Sequence, residues 1–189
     1  MTDRDTDQAH DLFELLRKRR MHRRLTGEPV PKEAIEKLVW AAGRAPAGGN
    51  ARMRNLLVVT DPAVLTTLRQ VTPSFGATGA SAVIVLCTDT GTALREMGTL
   101  GRDVLSLVDA GAAAANITLV AAALGLGVCF VRSSNDAALG AVLDMPATVR
   151  ADLLIAIGWP VPAPLPAAHR SSPPIFWNSF ATGSGGDHK

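Results

Sequence analysis

The sequence contains no tyrosine, and aromatic residues make up only 4% of the chain. Stacking on a planar ligand would therefore depend on few side chains, of which Phe75, Phe130 and Trp177 are candidates, although each of these residue types is more often a core residue than a ligand contact. Only two cysteines are present, Cys87 and Cys129, and both lie in apolar, strand-like runs. We therefore expect buried free thiols rather than a disulfide or a metal site.

Other features that are scarce in this sequence argue against several functional classes. The four histidines are scattered, and the chain has neither an HExxH nor a CxxC motif, which argues against a zinc site. The net charge of +2 is small for 189 residues and argues against a general nucleic-acid-binding protein. No charged-then-apolar signal opens the chain, so we expect a cytoplasmic protein. The length and a hydrophobic content of 47% predict one domain over residues 1–189, with a flexible N-terminus over about residues 1–10.

One long segment carries no charge, from Ala110 to Val131. It is long enough to cross a membrane, but it is rich in alanine and glycine, which contribute little transfer energy into lipid. Near its end, Gly125 and Gly127 flank Leu126, after a helix and before a strand, which is the reverse of a dinucleotide-binding turn. We favour a buried helix, a glycine turn and a buried strand, and we predict no membrane association.

The strongest local charge is basic: six of the eight residues from Arg17 to Arg24 are lysine or arginine. The helix before them has an apolar face with i, i+3, i+4 spacing. Continued along the chain, that spacing places Arg19 and Arg20 on the buried face, where a guanidinium needs an anion and suits a phosphate. A solvated basic patch, or one that touches nucleic acid, is the alternative. The apolar face comprises Leu12, Phe13, Leu15 and Leu16.

The order of helical and strand-like patterns predicts an α+β domain with a sheet flanked by helices. After Gly158 a proline-rich segment leads to an apolar tail at Ile175–Trp177, which we expect to pack on a partner subunit. The predicted helices cover about residues 11–20, 31–43, 62–71, 92–107 (broken near residues 98 and 101), 109–124 and 136–143, and the predicted strands cover 56–60, 82–88, 128–131 and 153–157.

Three features in this order and spacing resemble the nitroreductase-like flavoprotein family. They are RRMHR at Arg19–Arg23, APAGGN at Ala45–Asn50, and the stretches at 114–131 and 143–160 that lead to a late arginine, Arg170. The resemblance implies a central mixed, largely antiparallel sheet, an FMN cofactor, and a homodimer whose two sites lie at the subunit interface. It also implies that the extended C-terminal arm, about residues 159–189, packs on the partner.

The family pattern also assigns site residues. The resemblance implies that the arginine-rich segment holds the FMN phosphate, ribityl chain and pyrimidine edge, and that Arg170 closes on the phosphate. It implies that the loop after the second helix approaches the flavin from the other subunit, and that the backbone after the glycine turn lies against the ring. The residues that match are Arg19, Arg20, Met21 and Arg23 in the first segment, Pro46, Ala47 and Asn50 in the loop, and Phe130, Val131, Arg132 and Ser133 in the last.

The chain departs from the family at four places. Met21 and Ala47 stand where relatives have serine, Arg52–Met53 replaces Gln-Pro, and Arg132 stands where glycine or glutamate is usual. Core packing alone would also explain Met21 and Ala47. These changes leave open whether the site has lost turnover.

The function implied is an oxidoreductase that passes hydride from NAD(P)H through FMN to a nitroaromatic, quinone or similar small-molecule acceptor, with no catalytic residue and no metal supplied by the chain. Two alternatives stay open: a flavin-dependent desaturase of a peptide-like natural product, and a non-catalytic protein that binds or sequesters FMN.

Overall fold

The computed structural model describes residues 3–72, 77–132, 135–162 and 173–180. Four strands form one sheet in the order β1-β2-β4-β3, and every ladder between them is antiparallel. Parallel pairing among the described residues is confined to isolated bridges. The predicted α+β architecture with a largely antiparallel sheet is confirmed. The elements are α1 (Asp3–Lys18), α2 (Lys32–Gly43), β1 (Arg54–Val59), α3 (Pro62–Val71), β2 (Ala82–Asp89), α4 (Thr90–Leu100), α5 (Ser106–Ala123), β3 (Gly127–Val131), α6 (Asp136–Val142) and β4 (Val149–Gly158).

The two central strands contain long apolar runs, at residues 82–87 of β2 and 153–157 of β4, because helices cover the sheet on both faces. In β2, Ile84 and Leu86 face α2 and α5, whereas Val83 and Val85 face α3 and α6. This two-residue alternation follows from strand geometry. It makes a three-layer core in which both inner strands are buried on each side.

Local signals set the helix boundaries where the sequence contains them. Pro31 precedes α2, and Asp61 caps α3 by accepting hydrogen bonds from the amides of Ala63 at 2.8 Å and Val64 at 3.1 Å. Both boundaries match the sequence-based prediction, because proline and aspartate act on the first turn alone and need no tertiary contact.

The segment 90–123 is long and apolar enough in composition to cross a membrane. Its path is broken, however, at Gly98 (φ 65°) and by a π-helical turn, Gly101–Leu105. Ala113 and Ile117 of α5 are fully covered by the sheet and α2. We therefore describe α5 as a core helix of this fold.

Helix α1 differs from its prediction. It begins at Asp3, eight residues before the predicted start, and it ends at Lys18, two residues before the predicted end. Its expected inner face is open in the single subunit: Leu12, Leu16 and Phe13 are exposed, Phe13 by 68%. Helical spacing predicts which residues share one face of a helix, but it does not show whether the fold covers that face.

Candidate functional site

The segment after α1 lies along the start of β3. Met21 forms a parallel bridge with Val128, and the amide of His22 donates to the carbonyl of Val128 at 2.8 Å. A Cβ added at Gly127 would lie 2.8 Å from Leu25 Cδ2 and 2.9 Å from His22 Cβ. Only glycine therefore lets this segment approach the strand so closely, which explains the second glycine of the turn before β3.

A cleft of about 300 Å³ lies between this segment, β3 and the outer face of α5. It contains Arg19, Met21 and Phe130, which the family pattern assigned to the cofactor from separate parts of the chain. On the opposite wall, Gly111 and Ala115 of α5 have little or no side chain, which leaves room for a flat ligand. The cleft is lined by Leu16, Arg19, Met21, Gly111, Ala115, Thr118, Leu119 and Phe130.

Arg20 does not point into a core as the helical spacing predicted. It is exposed, and its Nη1 donates to the carbonyls of Arg17 at 2.6 Å and Arg19 at 2.8 Å, so it caps the end of α1. Because the helix ends at Lys18, helical spacing no longer governs where the side chains of residues 19 and 20 point. Arg19 is half-buried in the cleft, whereas Arg20 belongs to the solvated basic surface.

The remaining predicted residues near β3 occupy different environments. Arg23 is exposed, and its carbonyl accepts from the amide of Thr78 at 3.0 Å. Val131 is buried, so only its backbone could meet a ligand, whereas Phe130 and Arg132 are exposed. Three further candidates, Ser133, Arg170 and Phe75, lie outside the described residues.

The loop residues Pro46, Ala47 and Asn50 do not line the cleft of their own subunit. They belong to the loop around a short 3-10 turn, Gly48–Asn50, in which Gly49 (φ 59°) and Asn50 (φ 55°) are left-handed. The turn packs beside the start of α5, where a Cβ at Gly48 would meet Leu105 Cβ at 3.3 Å. The cleft uses a different face of α5, at residues 111–119.

This loop is held by two buried charged side chains, which the sequence analysis did not identify. The carboxylate of Asp109 is 5% exposed and accepts from the amide of Gly48 at 2.9 Å. The guanidinium of Arg54 is 14% exposed, lies 3.7 Å from that carboxylate, and donates to three carbonyls, those of Ala42 at 2.9 Å, Pro46 at 3.1 Å and Asp109 at 3.2 Å. The sequence contains one indication that Asp109 is special, since it is the last charged residue before the uncharged segment from Ala110 to Val131.

Three groups in or beside the sheet have shifted pKa values, namely Cys87, Cys129 and His22. Burial raises the pKa of the Cys87 thiol to about 12. Burial also raises the pKa of Cys129, against the opposing charge of Arg23, and lowers the pKa of His22. Both cysteines are buried and free, as predicted. In the part of the chain that the structure describes, no three His, Cys, Asp or Glu side chains form a cluster able to hold a metal.

The cleft fits a flat molecule that carries an anionic group. One wall is apolar, with Met21, Phe130 and Leu119, and a half-buried guanidinium, that of Arg19, lies at its edge. Arginine binds phosphate through paired hydrogen bonds, and its charge at a partly buried site is offset by a bound anion. The described lining therefore suits a ligand that combines an apolar ring with an anionic group better than it suits a metal ion.

Comparison with known proteins gives a family and a fold. A family model described as the nitroreductase family matches residues 16–78 and 69–159. A protein of Archaeoglobus fulgidus named as an NADH dehydrogenase/NAD(P)H nitroreductase is 28% identical over 156 residues, which cover 79% of this chain and 86% of that protein. Iodotyrosine deiodinase 1 of Rattus norvegicus is 38% identical over 63 residues, which cover 33% of this chain but only 22% of the deiodinase.

Solved structures show the same fold. A protein of Parabacteroides distasonis, titled an NADH dehydrogenase/NAD(P)H nitroreductase, superposes with a TM-score of 0.78 at 24% identity, covering 90% of this chain and 99% of its own. A protein of Clostridium difficile titled an FMN-dependent nitroreductase superposes with a TM-score of 0.69 at 24% identity, covering 88% of this chain and 98% of its own.

Proposed function

Because the chain belongs to the nitroreductase family, we propose that it is an FMN-dependent oxidoreductase that takes hydride from NAD(P)H and reduces a nitroaromatic, quinone or similar acceptor in the cytoplasm. Family membership supports a flavin oxidoreductase in general. The observation that carries the finer proposal is the cleft beside β3, in which Arg19, Met21 and Phe130 meet. Its volume of about 300 Å³ lies at the lower end of the range of ligand sites.

The chain's own residues would bind and orient the flavin. Arg19 would hold the phosphate, and Arg23 would lie near the pyrimidine edge, where a cation favours negative charge on the bound ring. The backbone of residues 130–133 would lie against the ring, and Arg170 would close on the phosphate. Flavin itself supplies hydride transfer between a nicotinamide and a planar acceptor, so we propose no acid–base pair from the protein.

We further propose that the active form is a homodimer. Several large apolar side chains are exposed in the single subunit, among them Phe13 and Leu16 on α1 and Ile175 and Trp177 in the tail, Trp177 by 79%. Exposed apolar area of this kind is typical of subunit interfaces. The loop at residues 45–50 does not reach its own cleft, which fits its use by a second subunit.

The dimer is tested by removing the tail. A chain truncated after Pro166 loses Ile175, Trp177 and Arg170, and we expect it to dissociate more readily and to bind FMN more weakly. Light scattering over a concentration series gives the oligomeric state, and flavin fluorescence gives the affinity. A truncated chain that stays dimeric and keeps its flavin would contradict both the interface and the assignment of Arg170.

Turnover is tested by anaerobic stopped flow. The purified protein should carry a yellow flavin that NADH or NADPH bleaches and that menadione then reoxidises. If FMN stays bound while both half-reactions fail, the protein sequesters flavin instead. Arg132→Gly then identifies the cause, because recovered reduction would show that this exposed side chain had covered the ring.

A second acceptor class follows from the 38% identity with iodotyrosine deiodinase 1. That identity exceeds the 28% shared with the nitroreductase-named relative but covers a third of the chain. We therefore include iodotyrosine beside menadione and a nitroaromatic in the reoxidation assay. Release of iodide with faster reoxidation by iodotyrosine than by menadione would favour this class.

A further inference from the structure

The Arg54–Asp109 pair joins three elements to one loop. Arg54 begins β1, Asp109 lies in the first turn of α5, and the carbonyl of Ala42 that Arg54 also binds is at the end of α2. The loop itself is bound from both sides, at the Pro46 carbonyl by the guanidinium and at the Gly48 amide by the carboxylate. Arg54 and Asp109 lie 55 positions apart in the chain, and the bond from the Gly48 amide to Asp109 connects residues 61 positions apart.

The bonds act on the part of the loop whose backbone is unusual. Gly49 and Asn50, which follow Gly48 directly, are both left-handed. Asparagine tolerates the left-handed region better than most residues, so the sequence permits this turn without fixing it. Gly49 also packs against the α4 side chain Met97, since an added Cβ would lie 2.5 Å from its Sδ. The carboxylate therefore fixes the entry to this turn, and Met97 limits its movement on the other side.

Stability alone does not explain a buried ion pair at this position. Such a pair contributes little compared with apolar residues of the same volume, because both ions lose their hydration. The polar atoms are also incompletely satisfied, since Arg54 Nε and Asp109 Oδ2 have no hydrogen-bond partner. The pair is better explained by the geometry it imposes on the loop.

We propose that Arg54 and Asp109 are positioning residues that hold the loop at residues 45–50 in its flavin-binding conformation. The inference rests on the proposed function for the role of the loop, but the hydrogen bonds that carry it lie within one subunit. It predicts that loss of the carboxylate frees the loop and weakens FMN binding, although neither residue lies in the described cleft.

Trypsin reports on the loop directly, because the exposed residues Arg44 and Arg52 flank it. Asp109→Ala removes the acceptor of the Gly48 amide, and cleavage after these two arginines should accelerate at least about tenfold, the equivalent of about 1.4 kcal/mol of local opening. Asp109→Asn keeps an oxygen for that amide, so its cleavage rate should lie between those of the wild type and Asp109→Ala.

A matched control separates loop release from general destabilisation. Leu68→Ala opens a cavity beneath α3, on the opposite face of the sheet, without touching the loop. Cleavage is followed by mass spectrometry well below the melting temperature of every variant. We expect Leu68→Ala to lower the melting temperature without selective cleavage at Arg44 and Arg52.

Flavin titration on the same proteins completes the test. We expect the Kd for FMN, from fluorescence quenching, to rise at least tenfold in Asp109→Ala, less in Asp109→Asn, and hardly at all in Leu68→Ala. If wild type binds FMN and Asp109→Ala binds it equally well, or if loop cleavage is unchanged, the inference is wrong. If wild type itself binds no FMN, the proposed function fails instead, and the inference fails with it.

Discussion

Gly127→Ala tests whether close contact between the 19–25 segment and β3 builds the cleft. The new Cβ would lie 2.8 Å from Leu25 Cδ2 and 2.9 Å from His22 Cβ, against 3.4–4 Å for ordinary contact. Leu25 could turn only part of its side chain away, since it is 5% exposed, and His22 Cβ moves only with its backbone. The segment must therefore shift by several tenths of an ångström.

The expected cost is that of an overpacked site. Inserting a methyl group into a well-packed region costs about 1–3 kcal/mol, partly offset by about 0.4–1 kcal/mol from the smaller entropy of the unfolded chain. For a chain of this size each kcal/mol corresponds to about 2–4 °C in Tm. Because Met21 and Arg23 move with His22, the Kd for FMN should also rise about 3- to 10-fold.

Gly140→Ala is the matched control. Gly140 lies in α6 with nothing within 4 Å of an added Cβ, so alanine should stabilise the helix by up to about 1 kcal/mol. Thermal melts by circular dichroism and FMN fluorescence titrations are run on both variants. If Gly127→Ala has the Tm and the FMN affinity of Gly140→Ala, the close contact does not shape the cleft and the reasoning is refuted.

Three further outcomes are expected. Arg19→Ala should remove a charge-assisted phosphate contact of about 1.5–3 kcal/mol and weaken FMN binding roughly ten- to a hundredfold, whereas an unchanged Kd in a fluorescence titration would exclude Arg19 as the phosphate ligand. Asp61→Ala should cost about 1 kcal/mol by uncapping α3 while FMN affinity stays constant; a denaturant melt with no change would disprove the cap. Neither cysteine should react rapidly with a thiol reagent in the native protein at pH 8, because burial raises the pKa of Cys87 to about 12 and also that of Cys129; fast labelling that abolishes flavin reduction would contradict this.

Local chemistry determined most of the secondary structure. Asp61–Pro62 set the start of α3 and Pro31 that of α2, because capping and proline act within one turn. The apolar run around Cys87 predicted a strand with a buried thiol, and the structure confirms it and shows that helices cover this strand on both faces. The family pattern brought Arg19, Met21 and Phe130 to one site, and the structure places all three in one cleft.

What the sequence by itself determined is therefore the order and type of the elements, the starts of α2 and α3, and which faces are apolar. Only the tertiary structure decided what meets across the fold: Arg20 turns back onto α1, Phe13 stays exposed in the single subunit, and Arg54 pairs with Asp109 around the loop. The physical reason is the distance along the chain over which each interaction acts. Periodicity and capping act over a few residues, whereas a buried ion pair and a close backbone approach at Gly127 depend on segments that only folding brings together.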